Sequence, residues 1–421
     1  MGVIKQNPLP KTTLVDTEAD RSSVKKGRHP DSHEDSDQGK FKAIFGLLKN
    51  MIGVKDIVNM RLSLPAQLLD PISNLEQWQY LDRPDFFACL GDDDDPVNRM
   101  FGVITWWFSK DLKYIVSRIK KPYNSVLGEQ FMSKWEVPAT KPGLSLRDIE
   151  SEPDKVRVIF VAEQTSHHPP VSAFHYECPE KGVSAWGSDH ICARFTGTSV
   201  KVSSGSYSSG IHVRLANRDN EEYRLTHPTA SIQGWLKGSL YITVSEYCTI
   251  TCPKSGLKAV IEYKEESWLG KPKFLVEGKI FRQNFSDEGA EEPVKLKSIP
   301  EDQVVGKVEG SWRGRIYGTR TDNNQSTMLL DMNALQVIPK LVKPISEQNE
   351  NESRRVWSKV TELIIKKDFN NATKAKHALE DLQRQKASER LASGSAFVPQ
   401  LFHLDTSRPG YPTLKVPLPD L

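Results

Sequence analysis

Short runs of alternating apolar and polar residues recur through the middle of the chain, from Phe131 to about Tyr317. Alternation with a period of two is typical of β-strands that have one buried face. The runs are 156–162, 171–176, 200–202, 212–214, 240–244, 258–263, 274–281 and 304–308. Turn residues separate them and no long helical pattern intervenes, which argues against a parallel sheet with crossover helices. The pattern predicts a mostly β (α+β) protein built on a large antiparallel barrel or sandwich.

Helical patterns flank this β-rich region. Before it, a stretch from about Val97 to Arg118 carries closely spaced aromatic and aliphatic residues. After it, residues 352–357 open one helix. Residues 368–371 are a plausible N-cap for a second helix that runs towards Leu391. We therefore expect helices on both flanks of the sheet.

These patterns divide the chain. Residues 1–38 contain no aromatic residue and mix charges of both signs with Pro, Ser and His, so we expect a disordered tail. Residues 39–400 form the predicted domain, with its barrel at about 125–317 and a helical part at 318–400. The remaining 401–421 form a Pro-rich C-terminal extension.

Charge and cysteine content limit the class of function. The chain has 57 Lys and Arg against 54 Asp and Glu, whereas nucleic-acid-binding proteins usually carry a marked basic excess. No apolar run reaches the ~18 residues that span a bilayer, and the N-terminus lacks the apolar core of a signal sequence. The five cysteines fit no metal-ligand spacing. We expect a cytoplasmic protein that binds no nucleic acid.

The segment EQTSHHPP, residues 163–170, is the most distinctive motif in the chain. Because neighbouring residues of a strand point to opposite faces, His167 and His168 are poorly placed to chelate one metal ion. Ser166 lacks the Gly-x-Ser-x-Gly context of a catalytic nucleophile. The motif thus predicts neither a metal site nor an enzyme. A strand end closed by two prolines, with its histidines bonded to backbone, is the alternative that carries no function.

The motif resembles the Glu-Gln-Val-Ser-His-His-Pro-Pro element of the oxysterol-binding-protein-related family, with Thr165 in place of Val. A second element, KPYNSVLGE at 121–129, resembles the family's Lys-Pro-x-Asn-Pro-x-Leu-Gly-Glu sequence, with Ser125 in place of the second Pro. The similarity extends over about residues 40–400. The chain therefore resembles a short-form member that has the lipid-binding domain only.

The resemblance implies a β-barrel around an apolar lipid tunnel and a phosphoinositide site built from three distant segments. The implied binding residues are Lys121, Asn124, His167, His168, Lys376, Glu380 and Arg384. The last three lie four residues apart on one helical stripe. Without the resemblance, the first segment is also compatible with a solvated basic turn and the helix with a salt-bridged surface.

An amphipathic segment precedes the β-rich region. Its apolar residues recur at steps of three and four, which places them on one helical face. They are Phe41, Ile44, Phe45, Leu48, Met51 and Ile52. An ordinary core helix would show this pattern too, but the resemblance implies a lid over the tunnel, at about residues 40–58.

The resemblance further implies lipid transfer without a cofactor. Phosphatidylinositol 4-phosphate would be exchanged for a second lipid, a sterol or phosphatidylserine, between membranes. The implied location is peripheral, at endoplasmic reticulum, Golgi or plasma-membrane contacts. A lipid-gated sensor or scaffold at such contacts, which binds the same lipid but transfers little, is the alternative.

Overall fold

The computed structural model describes residues 69–116, 121–140, 154–234, 240–264, 273–415 and 417–418. The predicted tail and the predicted lid, with its six apolar residues, lie outside the described residues. In the part of the chain that is described, no helix is long and apolar enough to cross a membrane.

The described elements comprise eighteen strands and seven α-helices. The strands are β1 (Leu69–Ser73), β2 (Lys121–Tyr123), β3 (Gln130–Pro138), β4 (Lys155–His167), β5 (Pro170–Cys178), β6 (Val183–Phe195), β7 (Val200–Ser204), β8 (Ile211–Leu215), β9 (Glu221–Leu225), β10 (Thr229–Gln233), β11 (Tyr241–Cys252), β12 (Leu257–Tyr263), β13 (Leu275–Arg282), β14 (Val304–Ser311), β15 (Arg315–Arg320), β16 (Ser326–Asp331), β17 (Phe402–Leu404) and β18 (Pro412–Leu414). The helices are α1 (Asn74–Gln77), α2 (Pro84–Ala88), α3 (Pro96–Ser109), α4 (Lys113–Val116), α5 (Ser353–Val356), α6 (Ser358–Ile365) and α7 (Phe369–Ala392).

Strands β3 to β16 form one antiparallel sheet of fourteen strands. Its main order is β16-β15-β14-β13-β12-β11-β10-β7-β6-β5-β4-β3. Strands β6 and β11 are long, and each pairs with different neighbours along its two halves. One half of each is joined through β7 and β10, and the other half through β8 and β9. The sheet therefore divides between β6 and β11.

The sheet confirms the mostly β prediction. All of the alternating runs found in the sequence lie in its strands, to within one residue at their ends. The sheet continues past the predicted boundary near residue 317, through β16 to Asp331. Strand β16 is at the edge of the sheet and its one fully buried side chain is Leu330. Its apolar alternation is correspondingly weak, which explains why the sequence pattern missed it.

Helix α3 lies against the concave face of the sheet. It begins at Pro96, where the side chain of Asp95 caps the backbone N–H groups of Val97 and Asn98. Side chains of α3 share one apolar core with both edge strands, β3 and β16. A sheet whose two edges reach the same core must be strongly curved. The apolar interior predicted for this fold is thus centred on α3.

Two glycines allow α3 to approach the sheet. A Cβ atom at Gly306 would lie 2.8 Å from the Phe101 ring, and one at Gly318 would lie 2.7 Å from it. Contacts this short are repulsive, so the ring of Phe101 occupies the space that these side chains would fill. The sequence places glycine where the helix and the sheet are closest.

We expect Gly318→Ala to lower the free energy of unfolding by about 1–3 kcal/mol, because the new methyl group overlaps the Phe101 ring. The matched control is Gly314→Ala, where the nearest atom lies 3.5 Å from the added Cβ and the change should stay within about 0.5 kcal/mol. Urea unfolding measures both. Equal effects of the two substitutions would contradict this account of the packing.

Candidate functional site

Three segments that are distant in sequence meet beside the end of strand β4. Lys121 begins strand β2, and Asn124 follows in the next loop with its side chain exposed. His167 is the last residue of β4 and His168 lies in the turn after it, with ring centroids 4.7 Å apart. Lys376 comes from the first half of helix α7 and is buried.

Mutual electrostatic effects show how closely these groups are placed. Although Lys121 is exposed, nearby protein atoms displace enough water from its ammonium group to lower its pKa to about 8, and Lys376 adds repulsion. Glu380 opposes both effects. Burial lowers the pKa of His167, followed by repulsion from His168, while the Ser125 backbone and Glu380 raise it. The site is a partly dehydrated cluster of Lys121, Lys376 and the two histidines around the Glu380 carboxylate, which we call the cationic cluster.

The three predicted residues of helix α7 have different surroundings. The ammonium Nζ of Lys376 lies 2.7 Å from Oε1 of Glu380. Arg384, one turn further on, is exposed and forms an ion pair with Asp381. Five of the seven predicted residues are therefore coupled in one cluster. Asn124 and Arg384 lie on the solvent side, where an incoming ligand can reach them.

Two polar groups inside the cluster lack partners. Within the described residues, Nδ1 of His167 and the hydroxyl of Ser125 are buried and make no hydrogen bond. An unpaired buried polar atom costs about 1–3 kcal/mol unless a ligand or water satisfies it. Ser125 stands where the resembled motif has Pro, and its hydroxyl adds a donor that Pro lacks. Both groups are suited to a ligand rich in hydrogen-bonding oxygens.

The glutamate that ends the 121–129 motif anchors a distant helix. Glu129 is buried, and its carboxylate accepts hydrogen bonds from Ser353 Oγ at 2.7 Å and Trp357 Nε1 at 2.9 Å. The ring of Trp357 stacks on Tyr123 with centroids 4.4 Å apart. These contacts place α5 and α6 against β2. The sequence shows that Glu129 belongs to the motif. Its partners Ser353 and Trp357 are more than 200 residues away and could not be predicted from it.

The glutamate that begins the 163–170 motif also has a structural role. Glu163 is fully buried and accepts the backbone N–H groups of Gln400 at 2.7 Å and Leu401 at 2.8 Å. The amide of Gln164 donates to Ser166 O at 2.6 Å and accepts from the hydroxyl of Ser172 at 2.8 Å. The first half of the motif thus shapes the site, and the second half supplies the histidines.

An aromatic cavity lies where the sheet divides, at the same end as the histidines. The cavity and the histidines are connected through neighbouring strands. His167 pairs with Pro170 at the start of β5, and the next residue, Val171, pairs with His190 on the cavity wall. Its aromatic lining comprises Trp78, Tyr80, Trp107, Phe108, Tyr114, Tyr263 and Trp312. The cavity therefore offers flat apolar walls close to the cationic cluster.

One wall of the cavity is polar. The hydroxyl of Tyr80 donates to Asp189 Oδ1 at 2.7 Å, and burial raises the pKa of Asp189 to about 7. Lys110 forms an ion pair with Asp111 and its ammonium lies 4.2 Å from the centre of the Trp107 ring. Burial, followed by repulsion from Lys110, lowers the pKa of His227 to about 3. The sequence reasoning missed this wall because no local motif joins its members.

Comparison with known proteins gives one consistent result. The model of the oxysterol-binding protein family matches residues 43–363. Oxysterol-binding protein-like protein 1 of Schizosaccharomyces pombe is 38% identical in an alignment 465 positions long, gaps included, that covers 90% of this chain and 89% of that protein. Human oxysterol-binding protein-related protein 9 is 31% identical over 388 residues, which cover 90% of this chain and 49% of that protein. The chain thus spans about half the length of the human relative.

Solved structures agree on the fold. The Osh1 ORD domain in complex with ergosterol superposes with a TM-score of 0.66 at 18% identity, over 93% of this chain and 88% of that one. The Osh3 ORD of Saccharomyces cerevisiae in complex with PI(4)P gives 0.63 at 16% identity, over 89% and 90%. The fold is that of a β-rich ORD domain. The chain belongs to the oxysterol-binding protein family, as the motifs indicated.

We expect acylation of Lys121 to rise with pH around a midpoint near 8, below the 10.5 of an ordinary lysine. Because Lys376 lowers the pKa of Lys121 and Glu380 raises it, Lys376→Met should move the midpoint upwards. Short acetylation pulses over a pH series, followed by peptide mass spectrometry, measure this, with the exposed Lys386 as internal control. A midpoint that does not respond to Lys376→Met would contradict the geometry.

Proposed function

We propose that the protein binds phosphatidylinositol 4-phosphate with its phosphorylated head at the cationic cluster and its acyl chains in the cavity. The observation that carries this proposal is the meeting of Lys121, His167, His168 and Lys376 at one partly dehydrated place. A phosphate dianion there replaces repulsion between cations by attraction and raises the pKa of each titratable group. The unpaired Nδ1 of His167 can then donate to a phosphate oxygen.

The remaining predicted residues suit the rest of the head. Glu380 orients Lys376 and can accept hydrogen bonds from inositol hydroxyls, and Asn124 can read the same hydroxyls through its amide. Arg384 extends the cationic surface outwards and can bind phosphate with two parallel hydrogen bonds. Relatives of known structure support the choice of ligand, since one ORD domain was crystallised with PI(4)P.

We propose a sterol as the second lipid. Flat aromatic walls suit a rigid ring system, and the polar wall of Tyr80, Lys110 and Asp189 can hold one hydroxyl. Ergosterol and cholesterol occupy related ORD domains.

Exchange between membranes follows from shared occupancy. Moving a lipid through water costs about 0.8 kcal/mol for each CH₂ group exposed, and a cavity that covers the apolar part removes most of this cost. The phosphoinositide and the sterol compete for the cavity. Only the phosphoinositide also binds the cationic cluster, through its head. A membrane rich in phosphoinositide would therefore displace the sterol from the protein. In this proposal the protein is a lipid carrier that acts peripherally on membranes and catalyses no reaction.

We expect the double variant His167→Ala/His168→Ala to extract phosphatidylinositol 4-phosphate from liposomes at least tenfold less well, a loss of about 1.4 kcal/mol or more. Two charge-assisted hydrogen bonds are removed, each worth roughly 1.5–3 kcal/mol. Sterol extraction should not change, because neither histidine lines the cavity. Lys297→Ala, at an exposed cation between β13 and β14, is the control. Unchanged phosphoinositide extraction by a folded double variant would refute the proposal.

A further inference from the structure

Packing fixes only the first half of helix α7. Ala372 and Lys376 are the two buried residues of this helix, and Leu379 packs partly on the cluster around Tyr123 and Trp357. From Asp381 to the end of the helix no residue is buried. A helix that leaves the protein surface for three turns needs another restraint if its side chains are to keep their positions. The chain that follows is joined to this half of the helix and is therefore able to restrain it.

The chain after α7 returns to the candidate site as a strap, which we define as residues 397–415. Phe397 covers Gly128, where a Cβ atom would lie 3.2 Å from the Phe397 ring and the backbone φ is +80°. The side chain of Gln130 donates to Gln400 Oε1 at 2.8 Å. The strap thus contacts the chain where the segment after Asn124 enters strand β3.

Glu163 fixes the strap at its start. Each carboxylate oxygen accepts one backbone N–H, from Gln400 and from Leu401. The next residue, Phe402, is fully buried against Val161 and Ala173 on strands β4 and β5. Since Glu163 lies on β4 four residues before His167, the strap is tied to the strand that carries the histidines.

The rest of the strap is anchored independently of α7. Strands β17 and β18 form a hairpin, and Lys415 Nζ donates to Pro399 O at 2.6 Å. Ser209 Oγ donates to Gly410 O at 2.9 Å, and the ring of Tyr411 lies 4.6 Å from that of His212. The strap therefore has a fixed position on the sheet to which the free end of α7 can be tied.

We infer that Glu163 is a positioning residue for the phosphoinositide site. It acts through the strap, which holds the second half of α7 and the Asn124 loop in register with His167. The inference rests on the function proposed above, and it extends that function by separating the two ligands. Within the described residues, no residue of β4, α7 or the strap lines the aromatic cavity. The strap should consequently matter for the charged head and not for the sterol.

Glu163→Ala, Glu163→Gln and Phe397→Ala test this inference in the full chain. We expect Glu163→Ala to weaken binding of phosphatidylinositol 4-phosphate vesicles at least tenfold while sterol binding stays within twofold. Glu163→Gln should lie between it and the wild type, because one amide oxygen can still accept one of the two N–H groups. Phe397→Ala leaves the buried carboxylate satisfied and tests the strap without risk to folding. Glu288→Ala, at an exposed glutamate, is the control.

The outcomes separate this inference from the proposed function. Unchanged phosphoinositide affinity in Glu163→Ala and Phe397→Ala would overturn the inference and leave the proposed function intact. Equal losses for both lipids would overturn it as well, since they indicate general destabilisation. If the wild type binds no phosphoinositide, the proposed function fails, and backbone hydrogen exchange of residues 381–392 decides about the strap. Faster exchange there in Glu163→Ala than in the wild type supports positioning, and unchanged exchange overturns it.

Discussion

A carboxylate that is buried in a protein is stable only when hydrogen-bond donors surround its oxygen atoms. Two buried carboxylates of this kind organise the structure. Glu129 and Glu163 are both buried, and both accept hydrogen bonds from the last part of the chain, to which Val126 adds a local donor at Glu129. If either carboxylate lost its hydrogen bonds, the folded state would be less stable by several kcal/mol. This difference favours docking of the C-terminal segments on the two motifs. The candidate site is therefore complete only when the end of the chain has docked.

This constraint also determines the electrostatics. Docking of helix α7 brings Lys376 and Glu380 to Lys121, and the loss of water lowers the pKa of Lys121. Lys376 repels Lys121 across this site in spite of Glu380, and a bound phosphate would offset that repulsion. The cavity, by contrast, is lined by other elements and carries its own polar wall. In the function proposed above, recognition of the charged head is therefore separate from the cavity for the apolar body.

Much of this could be predicted from local sequence. The alternating runs predicted the sheet, and Asp368 was identified as the cap of α7, where it accepts the N–H of Asn371 at 3.3 Å. Long-range partners could not be predicted, since Gln400 follows Glu163 by 237 positions and contributes only its backbone. Arg384 shows a further limit. Arg384 follows Lys376 by eight residues, and in a helix of 3.6 residues per turn its side chain points about 80° away from that of Lys376. Spacing by four residues therefore did not place the two side chains next to each other.

The central claim is that both lipids share one cavity while only the phosphoinositide uses the cations. The most direct measurement is displacement of a fluorescent sterol from the purified protein by phosphatidylinositol 4-phosphate, with the soluble phosphorylated inositol head as comparison. The account predicts that the whole lipid displaces the sterol one for one, and that the head alone binds without displacing it. Simultaneous binding of sterol and intact phosphoinositide would contradict the account.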